Sequence, residues 1–129
     1  MPPLWTLARY WAGRLGYSDD DLAVPFCFGC GTEMPYKKRA PAQQRWNEAA
    51  GRLERAHLVD RWCGGLDGPQ NVIPLCSLCH RLMPTFGIDQ GDAALAWVTE
   101  GGCMSFLLDA WARVVASGAP GGPASSTRR

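Results

Sequence analysis

The apolar positions of residues 3–16 recur at helical spacing. Leu4, Leu7, Ala8, Trp11 and Leu15 share one face, which predicts an amphipathic helix stopped by Gly16. Ser18 is placed to cap a short turn beginning at Asp19. Residues 32–41 contain the breakers Pro35 and Pro41 and read as loop. Residues 42–50 read as a short helix or an irregular arm carrying Trp46. From Arg52 the period changes to two. Leu53, Arg55, His57 and Val59 alternate with Glu54, Ala56, Leu58 and Asp60, as in a strand with two distinct faces. The run Cys63–Pro69 is dense in turn residues and must be a loop. A second strand, short or distorted, is expected around Val72–Pro74. Helix resumes near Ser77, which is placed to cap it, and runs to about Met83 before Pro84. Two further helices are expected over roughly 89–99 and 103–116. In the last one Leu107, Ala110, Trp111 and Val114 share a face. From Ser117 onward the chain is Gly, Pro, Ser, Thr and Arg, a composition that predicts disorder.

A chain of 129 residues fits one small domain. No apolar run approaches the ~18 residues that a membrane span needs. The N-terminus lacks the basic flank, apolar stretch and small-residue site of a signal peptide, so a cytoplasmic location is expected. Thiols stay reduced there, and paired cysteines point to metal or redox chemistry rather than to structural disulfides. The net charge of +1 is a weak sign of nucleic-acid binding. Its distribution says more. Lys37, Lys38, Arg39, Arg45, Arg52, Arg55 and Arg61 face only Glu48, Glu54 and Asp60 in the same stretch. Such a stretch can bind phosphate in a near-neutral protein, or can be a plain solvated surface.

Two Cys-x-x-Cys pairs, Cys27/Cys30 and Cys76/Cys79, can supply four thiolates. Zinc prefers four tetrahedral ligands, and two tight turns docked together build that geometry. A redox Cys-x-x-Cys would leave the second pair unexplained. Four protein ligands leave no open position, so the expected zinc is structural. Cys63 and Cys103 are left over as small buried apolar residues or incidental thiols. The six tryptophans, Trp5, Trp11, Trp46, Trp62, Trp97 and Trp111, are expected mainly in the core.

Between the pairs, the segment Glu54–Pro84 contains His57, Gly64-Gly65, Asn71 and the ending Leu75-Cys76-x-x-Cys79-His80. In these residues it resembles the HNH endonuclease family, whose ββα-metal motif has this layout. The resemblance implies a small α+β fold: a ββα-metal, treble-clef-like core over 27–84, stapled by the four-cysteine zinc. An N-terminal helical extension (1–26), C-terminal helices (85–116) and a disordered tail (117–129) would flank it. It further implies that His57 is a general base, that Asn71 braces the loop and orients His57, and that His80 binds a catalytic metal. That ion would be Mg2+ or another divalent ion such as Mn2+, Co2+ or Ni2+. DNA would be the partner, met by Lys37, Lys38, Arg39, Arg45, Arg55, Arg61 and Arg81. A homodimer or a partner protein would supply any specificity.

One position departs from the family pattern. Where many members carry Asp or His just before the first histidine, this chain has Ala56. Glu54, about 6–7 Å along the same strand face, and Asp60, in the loop, are the candidate replacements. Surface pairing with Arg55 or Arg61 is the plainer reading of both. Three functions therefore stand side by side. They are a metal-dependent DNA endonuclease or nickase, a catalytically weak or inactive zinc-stapled nucleic-acid-binding module, and a protein-interaction domain.

Overall fold

The computed structural model describes residues 1–118, without the side chains of residues 105–107. The expected tail falls largely on 119–129, outside the described residues, and so does the Leu107 side chain. The chain is small α+β. It runs α1 (Leu4–Leu15), α2 (Ala42–Glu48), β1 (Leu53–His57), β2 (Val72–Cys76), α3 (Ser77–Leu82), α4 (Gly91–Thr99) and α5 (Gly102–Ala116). β1 and β2 form one antiparallel two-stranded sheet, pairing Leu53 with Cys76 and His57 with Val72. No helix among the described residues is long and apolar enough to cross a membrane.

α1 buries the face read from its spacing: Leu4, Leu7, Ala8 and Trp11 are all at or below 1% exposure, while Leu15 is half-buried. Gly16 ends the helix and donates back to Ala12 O. The Ser18 hydroxyl accepts from Asp21 N at 3.3 Å, and the Asp21 carboxylate accepts in return from the Ser18 amide, so Ser18 caps the turn that begins at Asp19. α2 is a regular helix, and it drives Trp46 into the core at 0% exposure. The indole N–H of Trp46 donates to Leu22 O at 2.8 Å. Phe26 and Phe28 stack around that ring with centroids 5.4 and 6.0 Å away. Trp46 thus buries a large apolar area while its N–H keeps a partner.

Two strand boundaries differ from the sequence expectation. β1 ends at His57 rather than continuing through Val59, because the backbone groups of Val59 turn away to the Asn71 side chain. β2 runs through Pro74 to Cys76, as long as its partner. Proline is tolerated because Pro74 sits on the outer edge of the strand, where its missing N–H costs no bond to β1. The carbonyl of Pro74 points the same way and accepts from Phe28 N at 3.1 Å.

The rest of that outer edge is covered by side chains. The indole N–H of Trp11 donates to Val72 O at 2.7 Å, and Cys76 N donates to Cys27 Sγ at 3.2 Å. A two-stranded sheet alone is marginal in water, so this covering is what makes the hairpin stable. α3 follows β2 directly. Its N-cap is Cys76, not Ser77, since the sulfur of Cys76 accepts from Cys79 N. α4 and α5 add Ala94, Val98 and Cys103 to the same core. Trp62 departs from the core expectation at 81% exposure.

Trp11→Phe keeps most of the packing but leaves the Val72 carbonyl buried without a donor. A loss of about 1–3 kcal/mol is expected, measured by chemical denaturation.

Candidate functional site

The two cysteine pairs come from different local structures. Cys27 and Cys30 sit in a tight turn closed by Gly31 N to Cys27 O at 2.9 Å and Cys27 N to Thr32 O at 3.0 Å. Cys76 ends β2, and Cys79 lies in the first turn of α3. Their four sulfurs all lie within 4.8 Å of one another. A tetrahedron of sulfurs at ~2.3 Å from zinc has edges of about 3.8 Å. The Cys30–Cys76 separation of 3.9 Å matches that edge. The cluster can therefore hold a metal ion such as zinc.

The surroundings of the sulfurs suit thiolates. Cys27 Sγ accepts from the amides of Gly29, Cys30 and Cys76 at 3.3, 3.5 and 3.2 Å. Thr32 Oγ1 lies 3.0 Å from Cys30 Sγ. Without metal, burial pushes the Cys27 thiol up to about 11 despite those amides, and burial pushes Cys79 far higher. Burial also raises Cys30, but the bonds from Thr32 outweigh it and bring the thiol down to about 7. A dication entering this cluster must expel protons from the buried thiols. Cys103, itself buried, packs its thiol against Cys79.

The hairpin loop is the second feature. Leu58 N donates to Asn71 O at 2.8 Å, one step beyond the last strand pair. The Asn71 side chain then closes the loop. Its Oδ1 accepts from Val59 N at 2.9 Å, and its Nδ2 donates to Val59 O at 3.0 Å and Leu66 O at 2.9 Å. Asn71 is 9% exposed, and its side-chain bonds go to Val59 and Leu66 rather than to His57. His57 stands at the end of β1 beside the brace, with a side chain only 14% exposed.

Sequence reading missed Asp67. Its Oδ1 lies 2.7 Å from His57 Nε2 and 3.1 Å from both Nε and Nη2 of Arg61. An ionised carboxylate only accepts, so in the neutral imidazole Nε2 of His57 carries the proton and Nδ1 is left with a lone pair. The hydrogen bond from His57, and then Arg61, hold the Asp67 carboxyl below the usual carboxylate range. The one available signal was an acid inside a glycine-rich turn, ten residues after a histidine.

His80 lies elsewhere. Its Nδ1 is 2.7 Å from Glu54 Oε1, with both side chains roughly half exposed. By the same argument Glu54 accepts from Nδ1–H and leaves Nε2 of His80 open. Strand alternation puts Glu54 and Ala56 on one face of β1 and Arg55 and His57 on the other. The structure thus brings His57 to Asp67 and His80 to Glu54. Among the described residues, only the four-cysteine group gathers three or more metal-binding side chains. Asp60 joins neither pair. It works through its backbone, with its carbonyl accepting from Cys63 N and Gly65 N at 2.9 Å.

The proposed phosphate-binding residues divide sharply. Arg45 is committed to the fold: its guanidinium donates to Ala40 O, Ala23 O and Lys38 O and lies 4.4 Å from the Tyr36 ring centroid. Arg55 is half-buried and donates to Pro2 O, while Lys37 lies 4.0 Å from Glu48. Arg61 is shared with Asp67. Lys38, Arg39 and Arg81 are exposed and form no ion pair among the described residues. The basic arm therefore offers fewer free charges than its sequence promised.

No protein-family model, no curated protein and no solved structure matches this chain.

Two outcomes are expected here. Metal analysis should find about one zinc per chain, lost in Cys79→Ser, and zinc affinity should weaken as pH falls because protons compete for the buried sulfurs. The Asp67 carboxyl, followed by NMR, should titrate below the ordinary ~3.9 and move back up in His57→Ala. Its folded value is depressed, so the stability linked to it is present above ~3.9 and is lost as pH falls through the folded value.

Proposed function

We propose that the chain is a metal-dependent DNA endonuclease or nickase built on the ββα frame of the HNH endonucleases. A structural zinc in the Cys27, Cys30, Cys76 and Cys79 cluster would complete that frame. The observation that carries this reading is the hairpin end. Asn71 clamps the loop with three side-chain hydrogen bonds, and this places His57 beside an anion-binding guanidinium and a carboxylate that fixes its tautomer.

Hydrolysis of a phosphodiester needs an activated water and neutralised charge at phosphorus. Nδ1 of His57 accepts the proton from water, and Asp67 holds the imidazole in place and stabilises its protonated form. Arg61 pairs with a phosphate oxygen once the DNA backbone takes the place of Asp67 beside it. A divalent ion, when bound, would supply positive charge to the phosphate and the leaving oxygen. His80 would hold that ion through Nε2, with Glu54 orienting the ring from behind, an arrangement common among metal-binding histidines. Glu54 thus supports a ligand rather than replacing the one absent at Ala56. A single imidazole suits transition ions better than Mg2+. Lys38, Arg39 and Arg81 add contacts to phosphates, which give affinity without sequence information.

One observation favours the second reading, a binding module with weak or no cleavage. The His80–Glu54 pair has no third protein donor among the described residues, and Ala56 beside it is fully buried.

Plasmid relaxation decides between them. Mn2+, Co2+ or Ni2+ should support nicking of supercoiled DNA better than Mg2+. His57→Ala should reduce the rate about 10²–10⁴-fold. His80→Ala should raise the metal concentration needed, and Glu54→Gln should do so less. Cleavage unaffected by His57→Ala would overturn the mechanism. A salt-dependent gel shift without cleavage in any metal would establish the binding module.

A further inference from the structure

Beside His57 and Asp67 the braced loop opens into a cleft of about 190 Å3. Val59, Leu66 and Ile88 wall it, Gly64 and Gly65 form its floor, and Gln70 stands at the rim. The glycine pair is required there. Gly64 has φ +98°, and a Cβ on Gly65 would lie 1.8 Å from Val59 O. Asn71 lines the back, but its amide is spent on the loop, so the cleft interior is mainly apolar. Leu66 and Ile88 remain 64% and 62% exposed, and Trp62, two residues before Gly64 in the chain, is 81% exposed.

We infer that this cleft receives one nucleobase turned out of the DNA stack, beside the phosphate held by Arg61. The inference rests on the nuclease reading and names the form of its substrate. Three observations favour a base over another occupant. The volume suits one flat ring system and is below the roughly 300–1,000 Å3 of drug-sized sites. The apolar walls are close along the chain to the proposed phosphate groups: Leu66 precedes Asp67, and Val59 lies two residues beyond His57, at most about 7 Å of chain. The Arg61 guanidinium already holds an anionic oxygen, that of Asp67, as it would hold a phosphate oxygen. An apolar slot next to an anion binder matches a nucleotide, which is flat and apolar-faced at one end and anionic at the other. The exposed Gln70 amide can meet the hydrogen-bonding edge of the base.

An extruded base must first be unpaired and unstacked, at least cost where pairing is already faulty. The test is a gel shift with the zinc-loaded protein and no added divalent ion. It compares a matched short duplex with the same duplex carrying one central mismatch. About tenfold tighter binding of the mismatched duplex is expected. Ile88→Glu and Leu66→Ala should each bring the ratio close to one. Both side chains are largely exposed, so circular dichroism should find both variants folded. Equal affinity for the two duplexes, or a preference that survives Ile88→Glu, overturns the inference. If equal affinity accompanies plasmid nicking that depends on His57, the nuclease reading stands and only the base site falls. If neither duplex binds and no plasmid is nicked, both fall, and the cleft is left to a protein side chain.

Discussion

Four sulfurs drawn within 4.8 Å of one another are the constraint from which the rest of this fold follows. Without a metal, that arrangement crowds buried thiols whose ionisation burial opposes. With a dication, the same crowding becomes a cross-link between the turn at Cys27–Cys30 and the junction of β2 with α3. Cys76 is where the demands converge. It is the last residue of β2, the N-cap of α3 and a member of the cluster, and its amide donates to Cys27 Sγ. Strand end, helix start and metal site are thus fixed by one residue. A two-stranded hairpin would fray alone, and here its edge is held by the turn of Cys27 and Phe28 and by the indole of Trp11.

The far end of the hairpin has a separate lock. Asn71 uses both polar atoms of its side chain to hold Val59 and Leu66, and its backbone carbonyl takes Leu58 N. The loop between the strands therefore has defined geometry although most of it is exposed. His57 and Asp67 meet because β1 delivers one and the braced loop returns the other. The cluster and the Asn71 clamp grip opposite ends of the same two strands. The proposed chemistry concentrates at the clamped end, where the glycine pair lets the chain pass close to itself and leaves apolar space beside charged groups.

Much of this was legible in the sequence. The Cys-x-x-Cys pairs announced the cluster, the period of α1 announced its buried face, and the alternation after Arg52 announced β1. Asn71 was readable as a brace only through the resemblance to the HNH motif. Three features were hidden for physical reasons. Pro74 looked like the end of β2, since no single sequence tells which edge of a strand a proline nitrogen faces. Arg45 looked like a phosphate ligand, because its charge is visible in the sequence but the three carbonyls that occupy it become neighbours only in the folded chain. Asp67 lay in a turn whose composition explains an aspartate equally well by backbone preference. Its pairing with His57 exists only once the loop has closed.

If the cluster governs the fold in this way, its effect must reach the clamped end, beyond the residues that touch the metal. Amide hydrogen exchange at Leu58 and Val59 measures this most directly, because both amides are held by Asn71 and neither is near a sulfur ligand in sequence. In the zinc-loaded protein both should be strongly protected, and removal of the metal by a chelator should collapse that protection together with that of β1 and β2. Protection at Leu58 and Val59 that persists unchanged in the metal-free chain would contradict the account, since the hairpin and its loop would then stand without the four sulfurs.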